Sequence, residues 1–174
     1  GDTVAAWLAR DGAWREPDTA ALEAAVARAE APFARKRAAT GALESIRERL
    51  YDLMWDDAGI VRDAASLARA AGGLEALRAE LAATGIPDGE RAFNLTWHDG
   101  LNMANLIAVS QVIVRAARKR EDSRGAHYRS DYPDAGDLAT STFVRVRQRD
   151  ERLDAEAVPV RFTRVSPGGS LLRG

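Results

Sequence analysis

Residues 94–120, NLTWHDGLNMANLIAVSQVIVRAARKR, decide how this chain folds. Leu101, Ala104, Leu106, Ile107, Val109, Val112, Ile113 and Val114 leave almost no polar face before Arg115. A helix apolar all round is expected at the centre of a bundle, with neighbours packed on several sides. Its last turn carries Arg118, Lys119 and Arg120. Cations there oppose the negative end of the helix dipole, each worth about 0.3–1 kcal/mol when exposed.

Upstream lie shorter helices that could pack against it. Thr40 is the expected N-cap of a helix whose apolar positions are Leu43, Ile46, Leu50, Leu53 and Met54, a single buried stripe ended by Gly59. Ile60 and Val61 form a short apolar link. Asp63 can cap the next helix, with Leu67, Leu74, Leu77 and Leu81 on one face; Gly72 and Gly73 weaken its middle, and Gly85 and Pro87 end it. Nearer the N-terminus, Asp18 and Thr19 are N-cap candidates for the helix-forming run Ala20 to Ala31, which Pro32 should break. Val4, Trp7 and Leu8 sit at helical spacing in a short opening segment.

Downstream, Glu121 to Asp137 reads as an ordered, non-helical loop containing Gly125, Pro133 and Gly136. The period then changes. Thr142, Val144 and Val146 alternate with Phe143, Arg145 and Arg147, and Val158, Val160, Phe162 and Val165 follow a polar turn over Arg149 to Glu156. That pattern predicts a β-hairpin. Pro167, Gly168 and Gly169 mark a loose tail. The fold expected is mainly α: a three- to four-helix bundle with a C-terminal β-hairpin.

Composition narrows the function. The 174 residues suit one domain, and 46 % of them are apolar, enough for a core. With 25 basic and 26 acidic side chains the formal charge is −1, which argues against nucleic acid or an anionic membrane as a bulk electrostatic partner. The basic stretch Arg115 to Arg129 is interrupted by Glu121 and Asp122 and fits a helix end better than an RNA site. Without cysteine there is no disulfide, thiolate metal site or cysteine nucleophile. No signal peptide is visible and no run of about 20 uninterrupted apolar residues suggests a membrane span. G-x-G-x-x-G, Walker and G-x-S-x-G patterns are absent, and His98 and His127 stand too far from further ligands to suggest a metal site. Trp7, Trp14, Trp55 and Trp97 are scattered and read as packing anchors. No catalytic, cofactor-binding or metal residue is expected within the chain. Gly1 replaces an initiator methionine, which fits a processed terminus, a leftover tag residue or a domain of a longer protein.

Two motifs point further. Residues 122–133, DSRGAHYRSDYP, resemble the Glu-Ser-Arg-Gly-Ala-His-x-Arg-x-Asp-Tyr-Pro signature of succinate dehydrogenase and fumarate reductase flavoproteins, of which L-aspartate oxidase carries a close relative. The signature follows an apolar helix with an Asn-Leu near its start, here Asn105-Leu106. Residues 54–62, MWDDAGIVR, are similar to the family's Met-Trp-x-x-x-Gly-Ile-x-Arg. The resemblance covers roughly residues 40–137, and Asp122 departs from the usual Glu, so that a salt bridge there becomes doubtful. A closing hairpin, by resemblance, favours the succinate/fumarate branch over aspartate oxidase.

The resemblance implies a division into 1–39, a helical lead-in contiguous with an absent flavin domain; 40–137, a helical bundle with the signature loop; and 138–174, hairpin and tail. It implies an FAD-dependent oxidoreductase acting on a dicarboxylate, with FAD, capping domain and catalytic groups upstream of Gly1. This domain would be inactive alone. Its partners would be the flavin-binding and capping domains and an iron–sulfur subunit, in the cytoplasm or membrane-associated through other subunits. An aspartate oxidase domain and a stand-alone helical adaptor remain alternatives. Interdomain contact is expected from Arg62, Ser123, Arg124, His127, Tyr128, Arg129, Asp131 and Tyr132, whose planar donors and aromatic tips suit docking. Two further expectations attach to this region. Gly125 should supply the left-handed geometry that closes a helix, and Arg62 should pair locally with Asp56, Asp57 or Asp63 unless it forms an interdomain salt bridge.

Overall fold

Three helices share one apolar core. In the computed structural model, which describes residues 1–13, 16–149 and 152–169, these are α3 (Ala42–Ala58), α4 (Ala64–Ala83) and α5 (Leu95–Lys119). Leu43, Ile46 and Leu50 of α3 meet Leu67, Ala70, Leu74 and Leu77 of α4 and Met103, Ile107, Val114 and Ala117 of α5. Burial of each large aliphatic side chain favours the fold by about 1.5–3 kcal/mol. The upstream helices α1 (Asp2–Asp11) and α2 (Thr19–Glu30) bury no residue; after α2 the chain tightens into a 3₁₀ turn at Ala31–Ala34, where Pro32 cannot continue an α-helix. Trp97 Nε1 donates to Ala29 O at 2.8 Å and so ties α2 to the start of α5.

Side chains cap α2, α4 and α5, but not α1 or α3. Asp18 accepts from the Ala21 amide, Asn94 from the Trp97 amide, and Asp63 forms a reciprocal capping box with Ser66. Thr40 does not cap α3. Gly41, left-handed at φ 84°, takes that position with no side-chain bond, because only glycine adopts that turn without strain. Gly72 and Gly73 lie inside an unbroken α4. A β-carbon on Gly73 would sit 2.6 Å from Leu53 Cδ2, so that glycine lets α3 and α4 approach; nothing lies near Gly72.

Two small sheets complete the fold. The strands β1 (Val61–Arg62) and β2 (Tyr128–Arg129) pair in parallel, Val61 with Tyr128 and Arg62 with Arg129. The hairpin joins β3 (Thr142–Arg149) to β4 (Arg152–Pro159), antiparallel from Thr142↔Pro159 to Arg149↔Arg152. Its turn is therefore shorter than Arg149 to Glu156: most of that polar stretch is strand, and Val160, Phe162 and Val165 lie beyond it.

The all-apolar α5 is not surrounded. Its core face is buried, but Leu106, Val109, Val112 and Ile113 are exposed. Among the described helices it alone is long and apolar enough to cross a membrane by length and composition, which the absence of an uninterrupted apolar run did not suggest. Here it carries one wall of the core shared with α3 and α4. Nor are all the tryptophans packing anchors within this chain. Trp97 packs edge-on against Phe33, whereas Trp7 is exposed and Trp55 is 82 % exposed; Trp14 lies outside the described residues.

Candidate functional site: the signature loop and its face

Residues 120–137 join the ends of all three core helices, and charge explains how. Arg129, only 2 % exposed, sends Nη1 to Ala117 O at 3.2 Å and Arg120 O at 2.9 Å, two carbonyls at the C-terminus of α5. Its Nε and Nη2 form a two-pronged pair with Asp131, each at 2.7 Å. The other side of that carboxylate accepts the Ala64 amide at 2.9 Å, at the first turn of α4. Arg62 donates Nε to Ala58 O at 3.1 Å and to Gly59 O, closing the end of α3. Each cation thus meets a helix C-terminus, and the carboxylate meets an N-terminus, as the helix dipoles favour. The Arg129 bonds hold Asp131 far toward the ionised form, with a pKa of about 2 against an ordinary 3.8.

His127 completes the arrangement. Its Nδ1 lies 2.7 Å from Arg62 Nη1. Since Arg can only donate, Nδ1 must accept, and the ring is neutral with its proton on Nε2. Nε2 is buried and has no hydrogen-bond partner among the described residues. Burial first, then the charges of Arg62, Arg120 and Arg129, push the His127 pKa down, against a weaker opposing pull from Asp122. Burial likewise lowers that of Arg62. The expected pairing of Arg62 with Asp56, Asp57 or Asp63 does not form among the described residues: Asp57 takes Arg69 at 2.6 Å and Asp63 is the α4 cap.

The rest of the loop is held by its own backbone and small side chains. Ser123 Oγ donates to Tyr132 O at 2.7 Å and accepts the Arg129 amide at 2.8 Å. Arg124 reaches Ala135 O, Asp137 O and Ser141 Oγ, tying the loop to the hairpin entry. Asp122, despite being shorter than Glu, pairs with Arg120 at 2.5 Å and Arg124 at 3.0 Å. Gly125 is left-handed at φ 57°, but it lies in the tight turn where Arg124 and His127 exchange backbone bonds, beyond the Arg120 C-cap; it does not close α5. Tyr128 and Tyr132 keep an exposed side.

The outer surface of this brace is apolar. Trp55 lies on the last turn of α3; Ile60 and Val61, 66 % and 64 % exposed, follow it; Tyr128 pairs with Val61. Tyr51, one turn before Trp55, is exposed as well. The first motif marked Met54–Arg62 as special, but nothing in residue type showed that Trp55 points out and Met54 in, against the core. The guanidinia of Arg62, Arg124 and Arg129 are committed to carbonyls and carboxylates of this chain. Among the described residues no three potential ligands gather for a metal.

A bundle of this form, closed by this loop, defines a helical domain of flavoprotein type. Residues 47–170 match the family described as fumarate reductase flavoprotein C-term, and the chain belongs to that family, shared by succinate dehydrogenase and fumarate reductase flavoprotein subunits. It is 34 % identical over 128 residues to the fumarate reductase flavoprotein subunit of Mycobacterium tuberculosis, covering 72 % of this chain and 22 % of that protein. It is 37 % identical over 106 residues to the L-aspartate oxidase of Streptomyces coelicolor, covering 61 % of this chain and 18 % of that protein. The Sdh1 complex of Mycobacterium smegmatis contains a chain of like fold, with TM-score 0.74 and 29 % identity over 89 % of this chain and 26 % of that one. The chain thus spans about a fifth of the curated relatives it matches.

Proposed function

We propose that this chain is the C-terminal structural and interdomain-contact domain of an FAD-dependent oxidoreductase acting on a dicarboxylate of the succinate or fumarate type. FAD and the reacting groups belong, on this reading, to flavin-binding and capping domains upstream, and electrons pass on through an iron–sulfur subunit. The parent is cytoplasmic, held at the membrane, where it is so held, by other subunits. The residues 1–39 lead in from the flavin domain, 40–137 form the bundle, and 138–174 close it. The observation that carries the reading is the pairing of an inward-turned signature with an outward apolar face. Arg62, Ser123, Arg124, His127, Arg129 and Asp131 shape that face from beneath, and Tyr128, Tyr132, Trp55, Ile60 and Val61 present it to the flavin domain. Exposed aromatics grouped on a rigid support are what a contact surface requires.

The aspartate oxidase reading rests on relatives of nearly equal identity. The family match running through residue 170, and hence through the hairpin, favours the succinate/fumarate branch. The test is the coding sequence upstream of Gly1. Continuation into a strand–G-x-G-x-x-G–helix unit supports the proposal; a start codon immediately before Gly1 overturns it and leaves a stand-alone adaptor. Tight FAD binding by the 174 residues alone would also overturn it.

A further inference from the structure

The outward side of α3 carries a straight ridge of carboxylates, Glu44, Glu48, Asp52 and Asp56, spaced four residues apart and all exposed. Among the described residues none of them has a hydrogen-bond or ion-pair partner. The cations nearest along the helix turn elsewhere: Arg47 pairs with Asp99 of α5 at 3.2 Å, and Arg49 with Glu80 of α4 at 2.5 Å. Like charges four residues apart on a helix repel, and here Glu44 and Glu48, Glu48 and Asp52, and Asp52 and Asp56 stand in that relation. The helix dipole favours only Glu44, in the first turn. Asp56 lies in the last turn, at the negative end, where α3 has no basic residue. Exposed aromatics run beside the ridge: Tyr51 follows Glu48 by three residues, and Trp55 follows Asp52 by three. Residues so spaced are neighbours on a helix, so acids and aromatics form one continuous surface.

We infer that the flavin-domain surface covering Tyr51 and Trp55 is basic, and that its lysine and arginine side chains meet the ridge of α3. The inference rests on the reading of this face as the contact to the flavin domain, and it adds the chemistry of that contact. The aromatics form the dry centre, and the carboxylates form a charged rim that fixes register. Charge complementarity selects the covering surface. An acidic or wholly apolar surface laid on Tyr51 and Trp55 would draw Glu48 and Asp52 out of water with no counter-charge, which is costly. A basic one relieves the repulsion along the ridge, offsets the unfavourable charge at the end of α3 and supplies charge-assisted bonds. The attraction is local, since the whole chain carries a formal charge of only −1.

The experiment uses the longer protein with its flavin bound, and reads flavin content after gel filtration and the rate of limited proteolysis between the flavin domain and the bundle. Glu48→Lys/Asp52→Lys should speed that cleavage about tenfold at low salt, as the loss of several charged contacts requires, and flavin should be lost in parallel. Glu48→Asp/Asp52→Glu keeps both charges and should behave as the unaltered protein. Added salt should speed cleavage of the unaltered protein and narrow its difference from the reversed variant. In the isolated 174-residue chain the same reversal should leave Tm unchanged or raise it, because it makes two of the repulsive pairs attractive. Cleavage and flavin content unchanged by the reversal but impaired by Trp55→Ser would overturn the inference and leave the docking reading standing, with the ridge facing water. Neither variant having an effect would overturn both. Tighter flavin retention in the reversed variant would mean an acidic covering surface and overturn the inference. A lower Tm of the reversed isolated chain would do the same, since the acids would then serve this domain's own fold.

Discussion

Arg129 joins the negative end of α5 to a carboxylate that holds the positive end of α4, and no other side chain could do both. Lysine carries the charge but not the planar fork that meets Asp131 through two nitrogens while a third serves Ala117 O and Arg120 O. Arg129→Ala should destabilise the chain by about 3 kcal/mol, because it strips donors from buried carbonyls, and Arg129→Lys should recover less than half of that in urea denaturation. His127 gives the same region a pH response. Its folded pKa lies below the ordinary 6.5, so the unfolded chain takes up a proton first. Stability is full above about pH 6.5 and falls as pH drops through the window beneath it. The pH dependence of Tm between neutral and mildly acidic solution should therefore flatten in His127→Gln. Asp131 acts lower, its contribution present above 3.8 and lost as pH falls toward about 2. The sequence marks these residues as unusual through one motif, yet it cannot show that Arg62 finds His127, 65 positions away, in preference to the acids beside it.

At the scale of elements, glycines in one helix part company. Gly72 has open space where a β-carbon would go, so Gly72→Ala should gain the helical preference of alanine, about 0.8–1 kcal/mol, and raise Tm by about 2–4 °C. Gly73→Ala gains the same preference but drives a methyl group into Leu53 at 2.6 Å, and overpacking costs about 1–3 kcal/mol. The gain should vanish or reverse. Thermal denaturation of the two variants side by side decides, and equal stabilisation would mean that α3 and α4 are not held at this distance. Periodicity finds α3, α4 and α5 because each buries a long stripe, and Asp18 and Asp63 are readable caps because their chemistry is local. The pair β1 and β2 is invisible to the same reading: two residues have no period, and their ladder joins segments that only the folded loop brings together. The hairpin turn is misread for another reason. Arg152, Asp154 and Glu156 are polar because one side of β4 is solvated, not because the chain turns there.

The whole molecule has more apolar surface than three helices can cover. Leu106, Val109 and Ile113 on α5, Trp7 on α1, and the Trp55–Ile60–Val61–Tyr128 face all remain open. An apolar pattern reports that a side chain will be buried somewhere, not that the burying surface lies in the same 174 residues, and α5 is read as central for that reason. Trp55 tests the distinction. At 82 % exposure it contributes little to the isolated bundle, so Trp55→Ser should shift stability there by no more than about 0.5 kcal/mol. If its face docks on a flavin domain, the same substitution in the longer protein removes an aromatic anchor worth about 2 kcal/mol or more. Flavin retention and resistance to limited proteolysis should then fall together, with the bundle itself intact. A loss of stability in the isolated chain would place Trp55 in the core of this domain after all. Full flavin retention in the longer protein would show that the face contacts nothing there, and the solvent-facing motif residues would need another partner.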